Sequence, residues 1–302
     1  MPERIYYQRV QLLIQIMPIV FTEGCFALKG GTAINLFVRD MPRLSVDIDL
    51  VYLPYDNRET ALQKTQAALA RIAKNLRQTF HSVQIQEAYR LKPDALRLII
   101  NRNGKQVKVE LSPVLRGTVF NPVQMKVTKT VETQFGFVEA PVVSIPDLYG
   151  GKFCAALDRQ HPRDIFDVKL LFDNEGMTDS IRKAAIVYMI SHPKPLSELL
   201  NPRFKDIQSV FANEFEGMTK EPVLLSVLEL TREKLVNWVM DSLTAPEKEF
   251  LLSFKKRHPQ WNLLGIEGVE NMPAVQWKLK NLAGMEQSKH RESLRKLEEL
   301  LQ

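Results

Sequence analysis

Two acidic residues placed one residue apart in an apolar strand constrain this chain more than any other feature. Asp47 and Asp49 lie in the run 45–50, with Ile48 between them, and the alternation of a strand directs both carboxylates to the same face. Adjacent carboxylates repel each other unless a cation lies between them. Oxygen ligands of this kind suit Mg²⁺, which binds one or two protein carboxylates together with water and substrate phosphate.

A glycine turn precedes the acidic strand and is expected to open a helix. Gly30 and Gly31 allow the backbone to approach a phosphate closely, and the first amides of a helix attract anions. Thr32 fits either of two roles, as a helix N-cap or as a hydroxyl donor to phosphate. Lys29 and Arg43 contact phosphate or RNA in one interpretation and are ordinary exposed charges in the other. Together with the acidic pair, the turn predicts a nucleotide and metal site.

A third carboxylate on a neighbouring strand would complete a two-metal site for phosphoryl transfer. Glu110 lies in the alternating run 107–111, between Val109 and Leu111. We expect this strand to pair beside the one that carries Asp47 and Asp49. Two interpretations stay open for Glu110, as a metal ligand or as a surface glutamate of an alternating strand.

A second cluster of charge lies around a proline break between two expected helices. Its five members are Lys152, Arg159, Arg163, Asp164 and Asp167. Lys152 and Arg159 are seven residues apart and therefore share a helix face. The apolar residues around the cluster predict a partly buried polar network, whose members need internal partners. The alternative is an ordinary capped helix whose charges pair across the junction.

Composition sets broad limits on the class of protein. The chain has 302 residues, of which 45% are hydrophobic and 25% charged, values typical of a soluble protein with room for two domains. The net charge of +6 permits a polyanionic partner without requiring one. Cys25 and Cys154 are expected to be reduced thiols, and the five histidines show no zinc spacing. No secretory signal and no apolar run of transmembrane length occurs, which predicts a cytoplasmic protein without a membrane partner.

Hydrophobic periodicity predicts an α+β half followed by an all-α half. A helix over 5–16 should end or kink at Pro18, and Asn103-Gly104 is typical of a hairpin turn. Further expected helices in the first half are 32–38 and 59–80, and the expected strands are 26–28, 46–53, 83–89, 96–101, 107–111, 127–133 and 136–143. The expected helices of the second half are 145–157, 164–172, 179–191, 222–241, 246–257, 274–283 and 288–301. We place the domain boundary between 1–145 and 146–302.

The motifs in this order resemble those of a known family. Gly30-Gly31 followed by Asp47-Ile48-Asp49 resembles the signature of the nucleotidyltransferase superfamily. With Lys152, Arg159, Arg163-Asp164 and Asp167 added, the chain resembles the AbiEii/AbiGii toxin family over roughly its first 175 residues.

This resemblance implies a fold and a set of site residues. The fold is an N-terminal nucleotidyltransferase domain with a mixed sheet, and an all-α C-terminal domain that completes the active-site cleft. Asp47 and Asp49 would bind Mg²⁺, with Mn²⁺ as a substitute, and Asp164 would be catalytically required. Lys152 would bind the nucleoside triphosphate. The other expected nucleotide-binding residues are Gly30, Gly31, Thr32 and Arg159.

The resemblance also implies an activity, which is transfer of a nucleoside monophosphate from an NTP to an acceptor hydroxyl. The tRNA 3′ end is the expected acceptor, and the chain would be the toxin of a toxin–antitoxin or abortive-infection system in antiviral defence. A cognate antitoxin encoded nearby is therefore an expected partner. Two alternatives stay open: nucleotidyl transfer to a small molecule or a protein, and a binding module without catalysis.

Overall fold

The computed structural model describes residues 2–302, with side chains from Tyr6 onward. The chain forms two compact units, of which the first runs to Ser144 and also includes Met218–Glu221. The second holds the remaining residues, Ile145–Gly217 and Pro222–Gln302. Within the described residues, no helix has both the length and the apolar character needed to cross a bilayer.

A seven-stranded sheet forms the centre of the first unit. Its strands are β1 (Phe26–Lys29), β2 (Asp47–Tyr52), β3 (Gln84–Glu87), β4 (Arg97–Arg102), β5 (Lys105–Leu111), β6 (Val123–Lys126) and β7 (Glu139–Val142). Their spatial order is β3-β4-β5-β2-β1-β7-β6. The sheet is mixed, because β2 pairs parallel with β5 and β1 parallel with β7, whereas the other neighbours are antiparallel. With the helices described below, this makes the chain an α+β protein, as predicted.

Alternation along β2 separates the core from the acidic residues. Ile48 and Leu50 are fully buried, whereas Asp47 and Asp49 are partly exposed. Two of the helices that contact the sheet are long: α1 (Pro2–Val20) contacts β5 and β7, and α3 (Arg58–Thr79) contacts β3 and β4. The apolar side chains of β2 thus belong to the core, and its two carboxylates occupy the opposite face of the strand.

The glycine turn leads directly into a helical segment that follows β1. The helix α2 spans Gly30–Ala33 and continues as a π-helical turn over Ile34–Val38. The helix therefore begins two residues before the expected Thr32. Wider π turns of this kind are often found at functional sites.

The remaining helices are α4 (Lys129–Phe135) in the first unit and nine helices among the described residues of the second. These nine are α5 (Ile145–Asp158), α6 (Pro162–Asp173), α7 (Asp179–Ser191), α8 (Leu196–Leu200), α9 (Gln208–Glu214), α10 (Leu225–Ser242), α11 (Ala245–Lys255), α12 (Pro273–Ala283) and α13 (Gln287–Leu301). Each predicted helix of the second half is confirmed, with shifts of a few residues at the ends. The short α8 and α9 were not predicted.

Two sequence predictions in the first unit were wrong, namely the end of the first helix at Pro18 and the strand over 127–133. The helix α1 continues through Pro18 to Val20, because the proline lies in its last turn and the amide of Phe21 still bonds to the carbonyl of Met17. The segment 127–133 is not a strand, since α4 occupies most of it. Val127 and Val131 are both buried four residues apart, the spacing of a helix face rather than of a strand.

Candidate active site

Four charged residues form a row across four neighbouring strands of the sheet. The strand register pairs Lys29 with Asp49, Asp49 with Glu110, and Glu110 with Arg97. Neighbours in register project from the same face of a sheet, and all four residues line one pocket of about 400 Å³. The row therefore presents two adjacent carboxylates with a basic residue at either end. The expected pairing of the Glu110 strand with the Asp47 strand is confirmed.

Gly30 lies against the carboxylate of Asp49. Its φ of +76° is a conformation that other residues rarely adopt. A Cβ atom at this position would be 2.6 Å from Oδ2 of Asp49, far inside van der Waals contact. Both the backbone conformation and the space beside Asp49 therefore require glycine here.

Thr32 ties the start of α2 to the start of the acidic strand. Its hydroxyl is fully buried and donates to the backbone carbonyl of Asp47 at 2.6 Å. The same oxygen is 2.9 Å from Oγ of Ser45. Because a threonine hydroxyl has one proton, Ser45 is the donor of this second bond. The N-cap role predicted for Thr32 is wrong, since the N-cap of α2 is Lys29. The hydroxyl proton of Thr32 is donated to the carbonyl of Asp47 instead.

Asn35 is a site residue that the sequence prediction missed. It is fully buried, its Nδ2 donates to the carbonyl of Gly31 at 2.7 Å, and its Oδ1 accepts from the amide of Arg43 at 3.2 Å. Arg43 is itself only 4% exposed, so the interpretation as an ordinary surface charge is wrong. A Cβ on Gly31 would be 2.6 Å from a terminal nitrogen of Arg43. These contacts hold the glycine turn close to the acidic strand.

Glu110 is engaged by Arg97 on the neighbouring strand. A terminal nitrogen of the guanidinium donates to Oε1 of Glu110. This hydrogen bond raises the pKa of Arg97, and the charges of Glu110 and Asp47 act in the same direction. Arg97 was not singled out from the sequence, although a basic residue directly before the apolar run 98–100 of a strand is a signal of such a pairing.

The donor set of this face fits a divalent cation. Asp47 and Asp49 lie on one face of β2, and Glu110 is the register neighbour of Asp49. Across residues 2–302 no group of three or more acidic, histidine or cysteine side chains is arranged to hold a metal. Mg²⁺ needs only one or two protein carboxylates, because water and phosphate complete its shell. The two aspartates therefore suffice chemically, and Arg97 competes with a metal ion for Oε1 of Glu110.

The second unit contains the buried network predicted around the proline break. Lys152 Nζ is 2.8 Å from Oδ1 of Asp164 and 3.0 Å from Oδ2 of Asp167. The side chains of these three residues are between 0% and 7% exposed. Arg159 reaches the same carboxylate, with a terminal nitrogen 2.9 Å from Oδ1 of Asp164. Arg163 is not part of this contact set and lies 3.5 Å from a carboxylate oxygen of Glu214.

The charge state of Asp164 follows from its two basic neighbours. Burial alone would raise the pKa of this carboxyl, but the ammonium of Lys152 and the hydrogen bond from Arg159 outweigh it, so the pKa lies well below its usual range. Asp164 is therefore ionised in the folded protein. The α6 helix that carries it begins at Pro162 and is capped by the side chain of His161, which accepts the amide of Arg163 at 3.1 Å.

Comparisons with known proteins agree with the chemistry of these groups. The profile of the family described as nucleotidyl transferase AbiEii toxin, type IV TA system, matches residues 11–240. Among solved structures, the MenT4 nucleotidyltransferase toxin of Mycobacterium tuberculosis is similar, with a TM-score of 0.59, 14% sequence identity and 92% of each chain covered. At this identity the likeness shows a shared fold. No curated protein sequence matches the chain.

The family match spans most of the chain and includes both charged clusters. It also excludes the interpretation of the chain as a binding module without catalysis. The protein belongs to the AbiEii family and is a nucleotidyltransferase toxin of a type IV toxin–antitoxin system.

Proposed function

We propose that the chain transfers a nucleoside monophosphate from an NTP to the 3′ hydroxyl of a tRNA, with Mg²⁺ bound by Asp47 and Asp49. The acceptor oxygen bonds to the α-phosphorus, the bond from that phosphorus to the bridging oxygen breaks, and pyrophosphate leaves. The hydroxyl proton passes to solvent or to a carboxylate of the site. When bound, the metal ion would supply positive charge that stabilises the developing negative charge.

One observation carries this proposal, namely the side-by-side placement of Asp49 and Glu110 on parallel strands with Asp47 on the same face. Carboxylates held together on one face attract cations, and a divalent ion can neutralise two of them at once. The pocket beside them, at about 400 Å³, lies within the usual size range of ligand pockets. Gly30 packs directly against Asp49, which would fix the carboxylate near any phosphate bound at the turn.

Lys152 and Asp164 are proposed to serve the same reaction. Lysine neutralises charge that develops on a departing pyrophosphate, and Asp164 would act through Lys152, which it contacts at 2.8 Å. Asp164 is therefore a positioning residue in this proposal. Arg159 would contribute to nucleotide binding, because its guanidinium side chain is 62% exposed although it also reaches Asp164.

The proposed acceptor is a polyanion. A net charge of +6 suits a polyanion such as tRNA. Modification of a tRNA 3′ end would block translation in the cytoplasm and cause the growth arrest of a toxin. As a member of a type IV system, the toxin should have an antitoxin, which we expect in the neighbouring reading frame. The same growth arrest would account for a role in abortive infection against phage.

A labelling assay tests the activity and the acceptor together. The purified protein is incubated with each of the four α-labelled NTPs and with separate pools of tRNA, protein and small hydroxyl acceptors, with Mg²⁺ or with EDTA. We expect label in tRNA only, lost with EDTA and reduced about a hundredfold or more by Asp49→Asn. The matched control is Asp241→Asn, an identical change at an exposed position of α10. Label only in protein or small acceptors would reject tRNA as the substrate.

Toxicity in cells gives an independent test. Asp49→Asn, expressed at the level of the unchanged protein, should no longer arrest growth, whereas Asp241→Asn should arrest it fully. Undiminished arrest by Asp49→Asn would contradict a role for the acidic face in toxicity.

A further inference from the structure

We propose that Arg97 alternates between two anions during the reaction. One is Glu110, which it contacts in the structure. The other is the polyphosphate of the nucleotide, which it binds once a cation has taken that carboxylate. The inference rests on the proposed function, because it requires the divalent cation at Asp47 and Asp49 and adds Glu110 to its ligands. It adds a nucleotide-binding residue on β4, a strand that carries none of the family motifs described above.

The contact between Arg97 and Glu110 is placed to compete with metal binding. The two residues are register partners on β4 and β5, and both line the pocket that contains Asp49. Arg97 donates to Oε1 of Glu110, so the guanidinium competes for this oxygen with any metal ion that binds the carboxylate. The side chains are 41% and 42% exposed, and ion pairs in contact with solvent are weak enough to be displaced.

The present position of Arg97 leaves one of its own donors unsatisfied. The Nε atom is buried and has no hydrogen-bond partner among the described residues. A buried donor without an acceptor disfavours the conformation that contains it. Phosphate oxygens suit a guanidinium because its planar fork can donate two parallel hydrogen bonds to them. A polyphosphate in the pocket would therefore offer Arg97 a more complete set of acceptors.

Charge also favours the exchange. In the structure the guanidinium of Arg97 lies against the carboxylate of Glu110 and is attracted by it, on the face that also carries Asp47. A divalent cation bound at these carboxylates would replace that attraction with repulsion. The nucleotide brings several negative charges to the same pocket, so the displaced guanidinium gains a new counter-ion there.

The first step is tested by metal binding without nucleotide. Mn²⁺ is titrated into the full-length protein and followed by electron paramagnetic resonance. Arg97→Met should bind Mn²⁺ about two- to fivefold more tightly, the range expected when an exposed ion pair no longer competes. The matched control is Arg102→Met on the same strand, whose guanidinium contacts Gln15 and the ring of Phe80 instead. Its Mn²⁺ affinity should match that of the unchanged protein.

A double-mutant cycle separates competition from simple charge repulsion. In a Glu110→Gln background there is no ion pair to break and only charge repulsion remains, so Arg97→Met should tighten Mn²⁺ binding less than it does with Glu110 present. An equal gain in both backgrounds would mean that Arg97 only repels the cation, and the proposal would be wrong. Unchanged Mn²⁺ affinity in Arg97→Met would also overturn it.

The second step is tested by nucleotide binding in the presence of Mn²⁺, with nonhydrolysable analogues of the four NTPs. Arg97→Met should weaken binding of the preferred analogue about tenfold, as expected for loss of one charge-assisted contact, and Arg97→Lys should fall between. Arg102→Met measures how much the loss of one positive charge elsewhere on the strand weakens nucleotide binding. A loss in Arg97→Met no larger than in Arg102→Met would overturn the proposal. Thermal melting verifies that each variant is folded. If Arg97→Met is unfolded, Arg97→Lys is used to measure both the Mn²⁺ affinity and the nucleotide affinity.

The outcomes separate this inference from the proposed function. If the unchanged protein binds no Mn²⁺ and Asp49→Asn has no effect, both are wrong. If the unchanged protein binds Mn²⁺ through Asp49 but the Arg97 variants change neither affinity, only the role of Arg97 is wrong.

Discussion

The hydroxyl of Thr32 donates its proton to the backbone carbonyl of Asp47 across 2.6 Å, inside the protein. This bond joins the glycine turn to the strand that carries both aspartates. It explains why a hydroxyl residue follows Gly30-Gly31 in this chain, since the carbonyl at the start of β2 needs a buried donor. A threonine that bonds the backbone in this way sets the position of the strand that carries the carboxylates.

Replacing Thr32 with valine keeps the shape of the side chain and removes the donor. We expect Thr32→Val to lower the free energy of unfolding by about 1–3 kcal/mol, because a buried carbonyl loses its partner. Thr32→Ser keeps the donor and should retain most of the stability and transfer activity. Chemical denaturation measures the stability. Equal stability of Thr32→Val and the unchanged protein would contradict the importance of the bond.

A comparison of two glycines with similar backbone conformations distinguishes backbone strain from a steric clash at the site. Gly30 and Gly104 have φ values of +76° and +71°, but a Cβ would collide with Asp49 only at Gly30 and meets nothing within 4 Å at Gly104. Each alanine variant should lose about 1 kcal/mol of stability or more from backbone strain. Only Gly30→Ala should also lose nucleotidyl transfer and Mn²⁺ affinity. Full activity of Gly30→Ala would contradict the contact with Asp49.

Removal of Lys152 should affect stability as well as activity. Its ammonium lies between the buried carboxylates of Asp164 and Asp167. Breaking a buried ion pair by removing one partner typically costs about 3–5 kcal/mol, so Lys152→Met should unfold at much lower denaturant concentration. An unchanged free energy of unfolding in Lys152→Met would contradict a stabilising role for this buried network. Activity of this variant must be measured below its unfolding transition.

The network should also make stability depend on pH in the acid range. The folded-state pKa of Asp164 lies below its unfolded value, chiefly because Lys152 and Arg159 overcome the effect of burial. Between the two values the unfolded chain binds more protons, so stability rises with pH there. The contribution of ionised Asp164 to the free energy of unfolding is complete above pH about 4 and is lost as the pH falls further. The stability difference between the unchanged protein and Asp164→Asn should therefore shrink below pH about 4. A difference that stays constant down to pH about 2 would contradict this.

Local patterns predicted most of the elements, and the exceptions have physical causes. Pro18 lies in the last turn of α1, where the helix loses little by lacking one donor. The segment after Val127 contains β-branched residues that favour a strand, but α4 forms there and ends before Gly136, whose φ of +106° favours glycine. The helices α8 and α9 are five and seven residues long, too short to show a periodic pattern.

The contacts of the candidate site could be predicted where a short turn fixes the pairing of two strands. They could not be predicted where the pairing depends on the whole sheet. The two-residue turn at Asn103-Gly104 pairs Arg102 with Lys105, and the same register carried back along both strands pairs Arg97 with Glu110. That contact could have been found from the sequence. The match of Asp49 with Glu110 could not, because β2 and β5 are parallel and joined by a long connection that fixes no register. The role of Thr32 depends on a tertiary contact, which its neighbours in sequence do not reveal.

The central claim is that the carboxylates of Asp47 and Asp49 hold a divalent cation beside a bound nucleotide. The most direct measurement is an anomalous difference map at the manganese edge, from crystals grown with Mn²⁺ and a nonhydrolysable NTP analogue. We predict a peak about 2.1 Å from oxygens of both aspartates and of the analogue's phosphates. A bound analogue whose Mn²⁺ contacts neither aspartate would contradict the claim.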